Sequence, residues 1–300
     1  MFEQLGLIGC GLMGGSFALA LKKANLVQRV VGYSKSPSTT AQALQMGVID
    51  VEAPSALLAA AGADLVLLAV PVGATEATLR AIKQLITPQT LVMDVGSTKG
   101  DVVQAARNAL GKNLASFVPA HPNTGKEVAG VMHADADLYR GAKVILTPTE
   151  LTLVQHLRKA QALWEALGCD VHIMNPETHD SAFAAISHLP HMLAFAMMHS
   201  ITRQAQGDDF LQVAGPGFRD FTRIAAGDPK MWRDILLANK TEILAQAAQF
   251  KQAMHAFEEV LQTEDTQALE DMITLASSAR AHMHFPPTPQ TQAPAPHKGD

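Results

Sequence analysis

The stretch LGLIGCGLMGGSFALAL, residues 5–21, decides the fold of the N-terminal part of the chain. An apolar strand pattern ends at Ile8 and leads directly into a GxGxxG motif formed by Gly9, Gly11 and Gly14, after which an uncharged helical pattern begins. Such glycines permit a tight turn, close approach of backbone to a pyrophosphate, and close packing of helix on strand. The stretch therefore predicts a dinucleotide site with the phosphates at a helix N-terminus. The alternative is a glycine-rich turn without a ligand.

Further apolar runs alternate with helical patterns, as expected for buried parallel strands joined by crossover helices. The predicted strands are residues 4–8, 30–33, 64–70, 91–95, 116–119 and 143–146. Beyond residue 149 the pattern becomes helical, and residues 171–174 are the one further strand candidate. The predicted long helices are residues 176–204, 230–262 and 266–283.

The fold class predicted from this order is α/β, with a Rossmann domain followed by an all-helical domain. We expect the Rossmann domain to span residues 1–149 and the helical substrate and dimerisation domain residues 150–285, with 171–174 possible as a last strand of the sheet. Residues 286–300 are Pro-rich, polar and without periodicity. This composition predicts a disordered tail. We expect no further fused domain before residue 4 and no sizeable regulatory domain after residue 283.

Composition narrows the class of partner and the compartment. The 300 residues are 48% hydrophobic and carry 23 basic against 28 acidic residues, a net charge of -5 without basic blocks, so we expect no nucleic-acid partner. Two cysteines are too few for a disulfide framework and suit a reducing cytosol. Glu3 stands where a signal peptide would be positive, and Asp64 interrupts the apolar run 56–70. We therefore expect a cytoplasmic protein without a membrane span.

The end of the second predicted strand bears on the choice of dinucleotide. An NAD enzyme usually carries Asp or Glu there to bind the ribose 2′-hydroxyl, whereas this chain has Ser34 followed by Lys35. Ser34 lacks a carboxylate that would repel a 2′-phosphate. Lys35 can bind a 2′-phosphate, unless it is only a solvated turn residue. NADP is therefore expected to be tolerated or preferred over NAD. The expected cofactor-binding residues are Gly9, Gly11, Leu12, Met13, Gly14, Ser34, Lys35, Val70 and Pro71.

Polar segments follow two predicted strands and recur in the helical part, at residues 94–100, 121–127 and 217–223. The first two lie where parallel sheets bind ligands, outside the carboxyl ends of the strands. Ser97 could donate a hydrogen bond at the start of the next helix, or act there only as an N-cap. His121 follows a buried strand and precedes Pro122, a position better suited to proton transfer than to packing.

Five segments, in order, resemble those of the prephenate dehydrogenase family of tyrosine biosynthesis. They are GLIGCGLMGGS (6–16), DVGSTKG (94–100), HPNTGKE (121–127), SHLPH (187–191) and GFRDFTRIAAGDPKMWRDI (217–235). The resemblance extends over residues 2 to about 280. It implies a Rossmann domain followed by a helical dimerisation domain, and the oxidative decarboxylation of prephenate to 4-hydroxyphenylpyruvate with NAD(P).

The resemblance also implies site residues. His121 would take the proton of the substrate's ring hydroxyl as hydride leaves that carbon, and Ser97 would hold the same hydroxyl and orient the imidazole. Arg223 matches the arginine that binds a substrate carboxylate, and Arg219 is a basic position near it. The other expected substrate-binding residues are Lys126, Glu127, His188 and His191. The chemistry needs alignment, one proton acceptor and carboxylate binding, without a metal or a covalent nucleophile.

The chain departs from the family pattern at Asn123, where an apolar residue is usual, and at the charged pair Lys126 and Glu127. Arogenate carries an amine where prephenate has its side-chain keto group, so this pair could affect substrate choice. An arogenate-specific dehydrogenase is therefore the alternative function, and acceptance of both substrates is also open.

Other classes of function and site fit the sequence less well. His188 and His191 share one side of a helix, two turns after Asp180, but a third ligand at bonding spacing is not evident, so we predict no metal. A β-hydroxyacid dehydrogenase would need a lysine on the long helix, and residues 176–204 contain none. A non-catalytic NAD(P) sensor would need no arginine-flanked site for an acidic substrate. Turnover of prephenate, or its absence, distinguishes an enzyme from a sensor.

The last long helices predict a homodimer. A heptad stripe with one polar member runs through Leu236, Lys240, Ile243, Ala247, Phe250, Met254, Phe257 and Leu261. A second apolar edge is formed by Ile235, Leu244, Ala248 and Val260. Apolar residues spread beyond one stripe require a further partner surface, unless both faces pack within one chain. We therefore expect two helical domains to pair isologously.

Overall fold

Six parallel strands form the sheet that carries the glycine motif. The structure is a computed structural model and describes residues 1–126 and 128–283. The strands are β1 (Phe2–Ile8), β2 (Val27–Tyr33), β3 (Val51–Glu52), β4 (Leu65–Leu68), β5 (Leu91–Asp94) and β6 (Phe117–Val118). Their order is β3-β2-β1-β4-β5-β6, which is the Rossmann order, so the predicted fold class is confirmed. The order reverses between β1 and β4, which places the ligand crevice at the carboxyl ends of those strands.

Helices cover both faces of this sheet. They are α1 (Leu12–Lys23), α2 (Pro37–Gln45), α3 (Ala56–Ala60), α4 (Thr75–Ile82) and α5 (Gly100–Leu110). Because side chains alternate along a strand, Leu5 and Leu7 face one core with Phe17, whereas Ile8 faces the other core with Leu68. The strands are therefore apolar on both faces, as parallel strands covered on both sides must be.

A second sheet continues from the first through Pro119. It contains β7 (Ala120–Pro122), β8 (Lys143–Leu146) and, after helix α6 (Val154–Ala166), β9 (Asp170–Ile173). The pair β8 and β9 is parallel, and β9 is the strand candidate expected near residues 171–174. The prediction that all six apolar runs are parallel strands was wrong, because β7 and β8 are antiparallel. The described part of the connection between them contains one short 3-10 turn, Val131–His133, and no crossover helix that would let the chain return in parallel.

The long helix predicted over residues 176–204 is present as α7 (Pro176–Phe183), a π-helical turn (Ala184–His188) and α8 (Leu189–Thr202). Among the described residues, this helix alone is long and apolar enough, by length and composition, to cross a membrane. This is weak evidence for a membrane span, because the core helix of a soluble protein can have the same length and composition. The polar residues His179, Asp180 and His188 of this helix are buried and hydrogen-bonded to other parts of the protein, as is usual for a helix packed inside a protein.

The remaining helices are α9 (Gly207–Gln212), α10 (Pro216–Thr222), α11 (Pro229–Ala238), α12 (Lys240–Thr263) and α13 (Thr266–Ala281). The single helix predicted over 230–262 is divided at Asn239, whose side-chain amide bonds Asp180 and His188 instead of facing solvent. Contacts divide the chain into two units, at residue 246, and the site described below lies in the first. The domain boundary after residue 149 stays a prediction, and the predicted tail lies outside the described residues.

Candidate active site

The turn between β1 and α1 has the geometry of a phosphate-binding loop. Gly9 has φ +104°, and a Cβ there would lie 2.2 Å from the carbonyl oxygen of Ala69. A Cβ on Gly14 would lie 2.0 Å from the carbonyl oxygen of Gly9, so side chains are excluded at both positions. By contrast, no atom lies within 4 Å of a Cβ built on Gly11, and no side chain caps α1 there. Free backbone donors next to open space fit the pyrophosphate of a dinucleotide.

The other residues expected to bind the cofactor lie around this loop. The Cys10 N–H donates to Ser34 Oγ at 2.8 Å, which ties the end of β2 to the glycine turn. Ser34 and Lys35 line a surface cavity together with Glu52, the last residue of β3. Leu12 and Met13 form the first turn of α1, and Val70 and Pro71 follow β4. The cavity lies at the end of β2, where proteins of this fold bind the adenosine ribose.

A buried ion pair lies at the end of β5. Lys99 is fully buried, and its Nζ donates to Asp94 Oδ2 at 2.5 Å and to the carbonyl oxygen of Ala120 at 2.8 Å. Asp94 also accepts the N–H groups of Gly96 and Ala120. The pair therefore fixes both the loop that contains Ser97 and the backbone next to His121. Sequence reasoning missed Lys99, although it lies in the quoted DVGSTKG segment.

His121 lies on β7 and is 6% exposed. Its Nδ1 is 2.8 Å from Nε2 of His179 on α7, and the ring packs 4.5 Å from Phe183, between centroids. The second nitrogen, Nε2, has no hydrogen-bond partner among the described residues and is not among the fully buried unpaired atoms. The imidazole is thus held from one side and available to a ligand on the other.

Asp180 connects α7 to the start of α5. Its two oxygens accept the N–H groups of Lys99, at 2.9 Å, and of Gly100, at 2.8 Å. The N-cap position of α5 is Lys99, so Ser97 precedes the cap and lies partly buried in the loop. Asp180 Oδ1 also lies 2.8 Å from Nδ1 of His179, within hydrogen-bond distance. The described residues contain no group of three or more His, Cys, Asp or Glu that could hold a metal ion.

The two other predicted histidines are placed differently. His188 is buried; its Nδ1 lies 3.0 Å from Asn239 Nδ2, while its Nε2 has no partner among the described residues. His191 is partly exposed and stacks on Trp232, with ring centroids 3.6 Å apart. Asn239 and His179 were both missed by sequence reasoning, because neither lies in a quoted motif.

The predicted arginines and Lys126 lie at the surface. Arg223 begins the 3-10 turn Arg223–Ala226, close enough for its charge to act on His191, and Arg219 lies on α10. Lys126 forms an ion pair with Asp135 at 3.0 Å. Its predicted neighbour Glu127 lies outside the described residues.

The electrostatics of the site favour neutral histidines and an ionised carboxylate. Burial lowers the pKa of His121 well below its ordinary value, and the neighbouring His179 and Lys99 lower it further. Burial likewise lowers the pKa of His188, to about 4. Burial would raise the pKa of Asp180, but hydrogen bonds from His179 and two backbone N–H groups outweigh it, so that pKa is lowered. At neutral pH the cluster therefore offers an uncharged imidazole as a base.

Comparison with known proteins identifies the family. The family model for "Prephenate dehydrogenase, nucleotide-binding domain" matches residues 17–173, and that for "Prephenate dehydrogenase, dimerization domain" matches residues 175–275. Prephenate dehydrogenase from Bacillus subtilis is 36% identical, with 90% of this chain and 73% of that protein covered. Cyclohexadienyl dehydrogenase from Zymomonas mobilis is 32% identical, with 81% and 83% covered.

Solved structures agree with this result. Prephenate dehydrogenase from Aquifex aeolicus, in complex with hydroxyphenyl propionate and NAD⁺, superimposes with a TM-score of 0.87 at 35% identity, covering 94% of this chain and 98% of that one. Arogenate dehydrogenase from Synechocystis gives a TM-score of 0.79 at 26% identity, covering 93% and 99%. The two family models together match most of the chain. The chain therefore belongs to the prephenate dehydrogenase family.

Proposed function

We propose that this protein catalyses the oxidative decarboxylation of prephenate to 4-hydroxyphenylpyruvate, with NAD(P) as the hydride acceptor. The observation that carries the proposal is the environment of His121. Its Nδ1 is held by His179, burial lowers its pKa, and its Nε2 has no partner among the described residues. A neutral imidazole presented in this way is suited to act as a general base.

The reaction requires little more of the chain than positioning and one proton transfer. When bound, the dinucleotide accepts a hydride from the ring carbon that bears the hydroxyl group. His121 takes the hydroxyl proton at Nε2, so that a carbonyl forms at that carbon. The ring carboxylate then leaves as CO2, its bonding electrons complete the aromatic ring, and the ring oxygen regains a proton from His121 to become the hydroxyl group of the product. Ser97 is proposed to hold the hydroxyl group beside His121.

Substrate binding is proposed to depend on cationic and histidine side chains. Arg223 would bind a substrate carboxylate, with Arg219 as a second cation. The position of Arg223 near His191 supports this assignment, because both then border the cluster that contains His188. Lys126 and Glu127 are proposed to influence the choice between substrates, although the ion pair of Lys126 with Asp135 limits the reach of that lysine.

Prephenate is proposed as the main substrate, and arogenate as the alternative. Two of the similar curated proteins, from Bacillus subtilis and Lactococcus lactis, are named prephenate dehydrogenases and are 36% and 31% identical to this chain. The arogenate dehydrogenase of Synechocystis is 26% identical. The greater similarity to the former favours the keto acid over the amino acid.

Both dinucleotides are proposed as cofactors. The related Aquifex enzyme was solved with NAD⁺. In this chain Ser34 and Lys35 line the cavity at the end of β2, which supports acceptance of the 2′-phosphate of NADP. The carboxylate of Glu52 lines the same cavity and is the feature that favours NAD.

The working form is proposed to be a soluble, cytoplasmic homodimer. The matched C-terminal family model is a dimerisation domain. In the single chain, large apolar side chains on α12 and α13 are exposed, among them Leu244 (65%), Leu261 (60%) and Leu275 (76%). Apolar surface of this kind favours a partner subunit over contact with water.

The direct test is a spectrophotometric assay of the purified protein with prephenate and arogenate, each with NAD and NADP. We expect the reduced cofactor to form fastest with prephenate. His121→Asn should lower kcat by about 10²- to 10⁴-fold and leave dinucleotide affinity nearly unchanged. His172→Asn, on the exposed strand β9, is the matched control and should behave as wild type. Lack of turnover of prephenate, or near-normal turnover by His121→Asn, would overturn the proposal.

A further inference from the structure

His179 lies between the proposed base and a fixed carboxylate. It is fully buried, with Nε2 2.8 Å from His121 Nδ1 and Nδ1 2.8 Å from Asp180 Oδ1. We propose that His179 is a positioning residue that selects the tautomer of His121, with Asp180 as its anchor, so that the lone pair of His121 is on Nε2. The kinetic part of this inference rests on the proposed function, whereas the tautomer itself does not.

The direction of each hydrogen bond follows from Asp180, whose protonation state is fixed by its surroundings. Asp180 accepts two backbone N–H groups at the start of α5, so it is an ionised acceptor at neutral pH. Its contact with His179 must then use a proton on His179 Nδ1. A neutral imidazole carries one N–H, so His179 Nε2 has a lone pair. His121 Nδ1 must donate to that lone pair, which leaves His121 Nε2 without a proton.

The reverse tautomer of His121 would be costly. It would place two nitrogen lone pairs 2.8 Å apart between two buried side chains, with the loss of their hydrogen bond. Ring packing prevents His121 and His179 from turning away, because Phe183 stacks on His179 at 4.4 Å and packs against His121 at 4.5 Å. The anchor is equally fixed, since both oxygens of Asp180 accept backbone N–H groups at the start of α5. The cluster therefore permits one arrangement of protons.

Two substitutions separate this role from a merely structural one. The amide of His179→Gln reaches about as far as Nε2, so its oxygen can still accept from His121. The amide of His179→Asn reaches about as far as Nδ1, so it can donate to Asp180 but not contact His121. If His179 serves His121, the Gln variant retains function better than the Asn variant; if it only satisfies Asp180, the order reverses.

The first measurement is the tautomer of His121 in the resting enzyme. Long-range ¹H–¹⁵N correlation spectra of histidine-labelled protein distinguish protonated from unprotonated ring nitrogens, and the His121→Asn variant assigns the signals. We expect His121 to be protonated at Nδ1 in the wild type and in His179→Gln, and to lose this preference in His179→Asn. A proton on Nε2 in the wild type, or an unchanged spectrum in His179→Asn, would overturn the proposal.

The second measurement is steady-state kinetics with prephenate. We expect kcat to fall at least about tenfold in His179→Asn and less than about threefold in His179→Gln, with KM for prephenate near wild type in both. Equal losses in the two variants, or a larger loss in the Gln variant, would contradict the inference. If the wild type did not oxidise prephenate, the proposed function would fail while the tautomer measurement would still decide the role of His179.

Discussion

Replacing Lys99 by methionine should destabilise the protein strongly. Lys99 is fully buried and donates to Asp94 at 2.5 Å and to the Ala120 carbonyl oxygen at 2.8 Å. Methionine has a similar length but no charge, so the substitution leaves Asp94 buried without its counter-ion. Breaking one side of a buried ion pair costs about 3–5 kcal/mol.

The surroundings of Asp94 place the expected loss at the lower end of that range. Its carboxylate still accepts the N–H groups of Gly96 at 2.8 Å and of Ala120 at 3.0 Å, which offsets part of the lost attraction. We therefore expect Lys99→Met to lower the free energy of unfolding by about 3 kcal/mol. Because Ala120 precedes His121 on β7, kcat should fall as well.

The assay is equilibrium unfolding in guanidinium chloride at one fixed protein concentration, since the stability of the proposed dimer would depend on concentration. Lys143→Met, which removes an exposed ion pair with Asp170, is the control and should leave the midpoint nearly unchanged. The double variant Asp94→Asn with Lys99→Met leaves no unpaired charge. It should be more stable than the sum of the single losses predicts, by about 2 kcal/mol or more. Additive losses, or a Lys99→Met variant within about 1 kcal/mol of wild type, would refute the reasoning.

Four further predictions concern the site and the assembly. Arg223→Ala should raise KM for prephenate by about tenfold or more through loss of a charge-assisted bond, whereas Arg158→Ala on α6 is the control and should not. A wild-type KM in Arg223→Ala would place the carboxylate site elsewhere. Ser34→Asp keeps an acceptor for the Cys10 N–H but repels a 2′-phosphate, so the ratio of kcat/KM for NAD over NADP should rise at least about tenfold, and an unchanged ratio would contradict the assignment. Because burial lowers the pKa of His121 well below 6.5, the base stays unprotonated at that pH; the acid limb of kcat/KM should lie below pH 6.5, and a midpoint at or above 6.5 would exclude His121 as the group observed. Light scattering should give twice the 31.9 kDa mass of one chain at micromolar and at nanomolar concentrations, Leu261→Glu should weaken the dimer, and a mass of one chain at both concentrations would refute it.

Local patterns in the sequence determined much of the fold. The strand, glycine turn and helix of residues 5–21 could be predicted because each depends on interactions between residues close in the chain. The same holds for the helix 176–202, and for His121, which is marked by the end of an apolar strand and by Pro122. The five motifs then indicated the family, which the comparisons confirmed.

Tertiary structure alone decided how the site is held together. His121 and His179 are 58 residues apart, Lys99 and Asp180 are 81 apart, and no periodicity or spacing relates such pairs. The sequence predicted one continuous helix through residue 239, whereas the structure has two. A hydrophobic period cannot show that the side chain of Asn239 turns inward and hydrogen-bonds His188. The antiparallel return of β8 was missed for a similar reason, since strand direction depends on the path of the connecting chain. Sequence thus predicted most of the elements and singled out His121 as the proposed base, whereas the partners that hold His121 depend on contacts formed only when distant segments pack together.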